Sequence, residues 1–256
     1  MITIGNLLES PDLCATIKAS PFIIPGMNHN ILESLPSLVS AFIVGLSEDP
    51  NTIGIVLFGS WARGNHSPDS DIDVIQILSD GETRRAIEAI NGHFIEIVST
   101  TEQGAKEFYQ SHKDDCVDLW SYAHTVFDRD GAIERLKAFA DSIRAENKAA
   151  LSDWQICHMK YNCYDSLRAA ERRADSDTAS ALLLVNHLVF SLTEYYFDLC
   201  RIWTPPPKQR MDVIRSTNPA LAIAFEESIH PRLGDTVTDV VRRVRNVVDL
   251  VFKTTR

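Results

Sequence analysis

Leu57-Phe58-Gly59-Ser60-Trp61-Ala62-Arg63-Gly64, followed through Asn65-His66-Ser67-Pro68-Asp69 by Ser70-Asp71-Ile72-Asp73-Val74, is the stretch on which the reading of this chain turns. The apolar, branched run from Ile53 to Phe58 reads as a buried strand, and Gly59-Ser60 ends it in a tight turn. A strand that passes through Gly-Ser into a helical turn aims backbone N–H groups at the mouth of that turn, where phosphate binds. Gly59 permits the tight backbone, Ser60 adds a hydroxyl donor, and Gly64 lets the chain leave the short helix. Arg63 either reaches a phosphate or pairs with a nearby Asp.

Asp71 and Asp73 stand two apart on the next strand, expected from Asp71 to about Leu78, so both face one way while Ile72 and Val74 point into the layer behind. Two adjacent carboxylates repel unless a cation joins them. Mg²⁺ suits them, since it takes oxygen ligands and is commonly shared with substrate phosphates. Holding two metals around an in-line phosphoryl displacement calls for a third carboxylate. Glu96, between Ile95 and Ile97 on a strand expected from His93 to Val98, projects from the opposite face to its apolar neighbours.

Outward from this segment, apolar residues at helical spacing predict an amphipathic helix from Asn30 to Ser47, beginning as late as Ser34 because Pro36 is tolerated only in a first turn. Glu82 to Ile90 is read as a helix, Asn91-Gly92 as a turn, Thr101 to Lys113 as a helix and Ala123 to Phe127 as a strand. From Ala132 the pattern becomes helical: 132–149, 153–173, 178–203, a piece after Pro219, and 236–252, with Pro205-Pro206-Pro207 a rigid bend. The expected fold class is an α+β N-terminal core, a small mixed sheet with flanking helices, followed by an all-α helical bundle. The expected domains are 1–130 and 131–256.

Composition narrows the partners. The 256 residues carry 35 Asp and Glu against 25 Lys and Arg, a net charge of −10, which counts against a protein that holds nucleic acid through phosphate contacts. The five cysteines, Cys14, Cys116, Cys157, Cys163 and Cys200, form no C-x-x-C pair and suggest neither a disulfide framework nor a zinc site. No basic start followed by a long apolar run opens the chain, so membrane spanning and secretion are disfavoured and a cytoplasmic location is expected.

The combination of strand, Gly-Ser turn, Ser-Asp-x-Asp and a later strand bearing Glu resembles the signature of the nucleotidyltransferase superfamily, which has the DNA polymerase β-like fold. The likeness covers about the first half of the chain. It implies that Gly59 and Ser60 form the triphosphate-binding turn, with Arg63 and Ser70 beside it, and that Asp71, Asp73 and Glu96 are catalytic ligands of two Mg²⁺ ions. ATP is the implied donor, so the implied activity is adenylyl transfer with release of pyrophosphate. The helical half is similar, with less specific motifs, to the substrate domains of minimal antibiotic-type nucleotidyltransferases. There the acceptor is a small hydroxylated molecule, and an aminoglycoside-like cation would suit the acidic balance. A homodimer is consistent with the resemblance. The rival readings are a protein-modifying adenylyltransferase of antitoxin type, an end-modifying enzyme of tRNA or oligonucleotides, and a nucleotide-binding regulatory module without transfer.

Within the helical half, Lys208, delivered by the proline bend, is a candidate triphosphate ligand, the bland alternative being a solvated lysine. Trp154, His158, Tyr161, Asp165 and Arg168 recur on one face, either turned to a cleft or packing aromatics and solvating charges. Glu194 and Asp165 are weaker candidates than Glu96 for a base, and His187 is read as a core histidine. Arg242, Arg243 and Arg245, interleaved with valines, read as the solvated face of a helix.

Overall fold

A computed structural model describes residues 25–230 and 232–253; Cys14 and the start of the chain, on which the cysteine count and the reading of the N-terminus draw, lie outside the described residues. The chain divides into two compact units, Met1–Ala145 and Glu146–Arg256.

Among the described residues the first unit begins with two short helices, α1 (His29–Glu33) and α2 (Ser37–Glu48), where the periodicity predicts one. Pro36 explains the break. It has no N–H to donate and pushes Leu35 out of the helical region, and α2 restarts with Ser40 N–H bonded to the Pro36 carbonyl. Five strands follow: β1 (Thr52–Phe58), β2 (Ile72–Leu78), β3 (Arg84–Ile90), β4 (His93–Thr101) and β5 (His124–Asp128). They form one mixed sheet in the order β3-β4-β2-β1-β5, with β2 and β4 parallel and the other pairs antiparallel.

The expected helix over Glu82–Ile90 is a correction. Arg84 to Ile90 is instead the edge strand, paired along its whole length with β4 from Arg84↔Ser99 to Ile90↔His93. The turn between them has φ 49° at Asn91 and 82° at Gly92, the double left-handed geometry of a two-residue hairpin. Arg, Ala and Glu are good helix formers, so local propensity points one way while hydrogen bonding to a neighbouring strand decides the other.

Leu32, Leu35, Val39 and Ile43 of the leading helical segment cover one face of the sheet, packing on Ile55, Leu57, Ile72, Val74, Ile95 and Ile97. Each such buried side chain contributes about 1.5–3 kcal/mol over exposure. Helices α4 (Glu102–Ser111), α5 (Lys113–Tyr122) and α6 (Ala132–Ala145) complete the unit; α5 falls between the expected helix and strand and was not read from the sequence. Helix α6 packs on β1 and β5 and belongs with the sheet, so the compact boundary falls after Ala145, fifteen residues beyond the expected 130. The loop Asp128 to Gly131 lies inside this unit: Arg129 donates to the Pro50 and Ser47 carbonyls, and Asp130 accepts from the Ala132 N–H.

The second unit is helical: α7 (Asp153–Arg173), α8 (Thr178–Cys200), α9 (Pro207–Thr217), α10 (Pro219–Ile229) and α11 (Val237–Lys253). A capping box of Ser152 and Gln155 starts α7, worth about 1 kcal/mol. Helix α8 stops at Cys200, short of the expected Trp203, where Arg201 turns left-handed. The prolines form the expected bend, and Pro207 is also the first residue of a helix that the sequence reading did not include. Val241, Val244, Val247, Val248 and Val251 are buried; Arg242 and Arg245 lie on the solvated face, paired with Asp239 and Glu171, whereas Arg243 departs from that reading, largely buried and paired with Asp235. The fold is therefore a mixed five-stranded sheet with flanking helices, followed by a largely helical region. Among the described residues no helix is long and apolar enough to cross a membrane.

Candidate functional site

Parallel pairing of β2 with β4 sets Asp73 directly beside Glu96. Ile72, Val74, Ile95 and Ile97 alternate with these acids and are at most 5% exposed, so burial of the branched residues forces the acids onto the other face. Asp71, the residue before β2, stands exposed at the lip. The three side chains can each offer an oxygen within 4.8 Å of the others, with Asp73 and Glu96 half-buried. Such an all-oxygen donor set is a fit for Mg²⁺.

The turn after β1 is tied to this cluster. Phe58 pairs with Asp73 across the β1–β2 ladder, and the next residue, Gly59, has φ +71°. A Cβ at Gly59 would lie 1.8 Å from the Asp73 Oδ2 atom, so a side chain there would displace the carboxylate. Glycine is required for both its left-handed backbone and its lack of bulk. The following five-residue helix, α3 (Gly59–Arg63), places the Ser60 hydroxyl in a buried position without a hydrogen-bond partner. An unsatisfied buried hydroxyl costs about 1–3 kcal/mol, and a ligand oxygen in the turn would satisfy it.

The remaining candidates divide. Arg63 takes the pairing alternative: its guanidinium is held by the Asp118 carboxylate and lies 5.0 Å from the Tyr122 ring centre. Burial raises the Asp118 carboxyl above its ordinary pKa, and the Arg63 charge pulls it partly back. The Ser70 hydroxyl is engaged within its own loop, accepting from the Ser67 N–H at 2.9 Å. The Ser70 carbonyl accepts from the Trp61 indole, so the residue fastens the loop between α3 and β2.

Lys208 is exposed in the first turn of α9 in the second unit. In that unit Glu194 pairs at 2.9 Å with the buried Arg210, which also donates to the Pro205 carbonyl and lies over the Phe190 ring. Asp165 makes only a surface pair with Arg168. Trp154 and Tyr161 are 71% and 58% exposed, so the aromatic face of α7 is not packed into the unit's core. His187 corrects the reading of a core histidine: it is exposed on α8, because its position falls between the buried Val185 and Leu188.

Three neighbours of the acids escaped the sequence reading. Arg85 on β3 pairs with Glu96 at 2.7 Å, which holds its guanidinium more firmly protonated. Ile87 stands directly across the ladder from Glu96, and Phe94 lies two residues before it on the same face. The Asn91-Gly92 signal would have placed all three, had it been taken to join two strands. Asp69, Asp71, Ile87, Phe94 and Glu96 line an open concavity of about 450 Å³.

Residues 40–143 match the family model of the nucleotidyltransferase domain. Among solved structures the chain is similar to a nucleotidyltransferase-like protein from Exiguobacterium sibiricum 255-15, at 12% identity and a TM-score of 0.48, over 85% of this chain and 74% of that one. No curated protein matches the chain. The stretch that matches the nucleotidyltransferase domain model, residues 40 to 143, contains Gly59, Ser60 and all three clustered carboxylates.

Proposed function

We propose that the chain transfers a nucleoside monophosphate, AMP from ATP, to a hydroxyl of a small acceptor and releases pyrophosphate. The observation that supports this reading is that Asp71, Asp73 and Glu96 can each bring an oxygen within 4.8 Å of the others, inside the stretch that matches the nucleotidyltransferase domain model. The three carboxylates would hold Mg²⁺, two ions in the arrangement expected from the sequence. When bound, the ions supply charge neutralisation at the phosphates and lower the pKa of the attacking hydroxyl.

The chain's own residues do the positioning. The Gly59 turn and the buried Ser60 hydroxyl offer donors to the triphosphate, aligning the α-phosphorus over Asp73. Bond for bond, the acceptor oxygen joins the α-phosphorus and the bridging oxygen leaves with its electron pair as pyrophosphate. The hydroxyl proton passes to Glu96 or to water. The acidic composition favours a cationic, aminoglycoside-like acceptor; the exposed Ile87 and Phe94 beside Glu96 favour a different class.

The test is incubation with ATP labelled at the α-phosphate, Mg²⁺ and candidate acceptors, with pyrophosphate release followed in parallel. Label in a small-molecule fraction, lost in Asp73→Asn, is the expected result. Label in protein or tRNA instead would move the activity to another acceptor class, and no pyrophosphate release with any acceptor would end the transfer reading.

A further inference from the structure

The sheet order β1, β2, β4, β3 sets out distinct chemistries across the open face. The Gly59-Ser60 turn stands at the end of β1, Asp73 on β2 and Glu96 on β4. Beyond Glu96, edge strand β3 brings Ile87 and Arg85. Because Ile87 faces Glu96 and Ala89 faces Phe94 across the ladder, Ile87 and Phe94 are diagonal neighbours on the carboxylate side. They are 66% and 61% exposed and share the concavity with the acids. A single exposed apolar residue is ordinary; two large ones side by side, on an edge strand and against a carboxylate cluster, form a surface that gains by being covered.

We infer that this wall is the acceptor subsite, and that the acceptor is a hydroxylated small molecule carrying an apolar or aromatic ring and no net positive charge. The inference rests on the nucleotidyl-transfer reading, which assigns the triphosphate to the β1 side. A group reaching the carboxylates from the other side must pass over β3. A ring laid on Ile87 and Phe94 removes apolar surface from water and leaves its hydroxyl above Glu96. Arg85, two-thirds exposed and 2.7 Å from Glu96, has further N–H donors for a neutral or anionic oxygen of the acceptor. A polycation such as an aminoglycoside draws nothing from the apolar wall, and with Mg²⁺ held by Asp71, Asp73 and Glu96 only Asp69 of the concavity's acids is left to attract it.

The experiment is calorimetric titration of the full chain, with Mg²⁺ and a non-hydrolysable ATP analogue present, using 4-nitrophenyl β-D-glucoside and kanamycin as probes. Both are rich in hydroxyls; one is neutral and aromatic, the other polycationic. The glucoside is expected to bind at least about tenfold more tightly, and with ATP to accept label. Phe94→Ala and Ile87→Ser, both at exposed positions, should each weaken the glucoside by about tenfold and leave the affinity for the ATP analogue unchanged. Arg85→Ala should narrow the preference for glucoside over kanamycin. No glucoside binding, tighter kanamycin binding, or a Phe94→Ala variant that loses the ATP analogue rather than the glucoside would overturn the assignment, the last giving the wall to the nucleobase. Failure of the underlying reading looks different: the glucoside would bind through Phe94 while the ATP analogue showed no Mg²⁺-dependent binding.

Discussion

The two ends of the sheet in the first unit carry concavities of similar size, about 450 and 460 Å³, and handle charge in opposite ways. At the end away from the Gly59 turn, Glu102 accepts from Arg135 at 2.7 Å and from Lys106 at 2.6 Å, and Arg135 also donates to the Asp130 carbonyl. Those bonds hold the Glu102 carboxyl below its ordinary pKa, Arg135 contributing most. At the other end three carboxylates crowd together, and Arg85 pairs with Glu96. A cluster whose charges are matched by its own neighbours is a structural joint. Three carboxylates that can each bring an oxygen within 4.8 Å of the others can instead share a cation, and that capacity separates a candidate binding site from a brace.

The strongest way to break this contrast is Asp73→Asn. Transfer should fall by about 10³-fold or more, because the carboxylate contributes several kcal/mol of charge stabilisation, while the circular dichroism spectrum stays unchanged. Normal turnover would make the crowded end as inert as the opposite one. Next in size, Gly59→Ala should cost about 1–2 kcal/mol in a denaturant titration and lower transfer by tenfold or more. It forces a left-handed alanine and drives a methyl group into the Asp73 carboxylate.

Smaller effects sharpen the comparison. Asp71→Asn removes one of the mutually repelling charges, so without metal its melting temperature should equal or exceed that of the parent chain, by up to about 1 kcal/mol of stability. Mg²⁺ with ATP should raise the melting temperature of the parent chain and leave that of the variant nearly unmoved.

Glu102→Gln at the opposite end should leave transfer intact and lower stability by less than about 1 kcal/mol at neutral pH, since the pairs are partly exposed. Because the folded state holds the Glu102 carboxyl low, its contribution is present above the ordinary value of 4.5 and disappears as the pH falls through the lower folded value. Urea midpoints of parent and variant should therefore converge in acid. A gap that widened in acid would mean that the ion pairs do not set the pKa.

Much of this site could be read from residue order because its logic is local. Gly59-Ser60, the two-residue spacing of Asp71 and Asp73, and the alternation of Glu96 with Ile95 and Ile97 each need only a strand period and a turn. The residues that were missed depend on pairing. Arg84 to Ile90 has the composition of a helix, and only its ladder with β4 makes it a strand that carries Arg85 and Ile87 to Glu96. Helix α6 likewise follows a Gly131 break and opens a helical run, yet its buried side packs on β1 and β5. Arg63 and Asp118 are 55 positions apart and meet only in the fold, which is why the sequence left Arg63 between two partners.

The sequence by itself determined which chemical groups the site contains, since a Gly-Ser turn and alternating acids follow from the geometry of single strands. The tertiary structure alone decided how those groups are surrounded: that Glu96 carries Arg85, that Ile87 and Phe94 form the wall beyond it, and that Arg63 is bound to Asp118. The physical reason is that periodicity fixes the direction of a side chain relative to its own strand, whereas its neighbours are set by the register between strands, where the free energy of pairing and burial outweighs local preference.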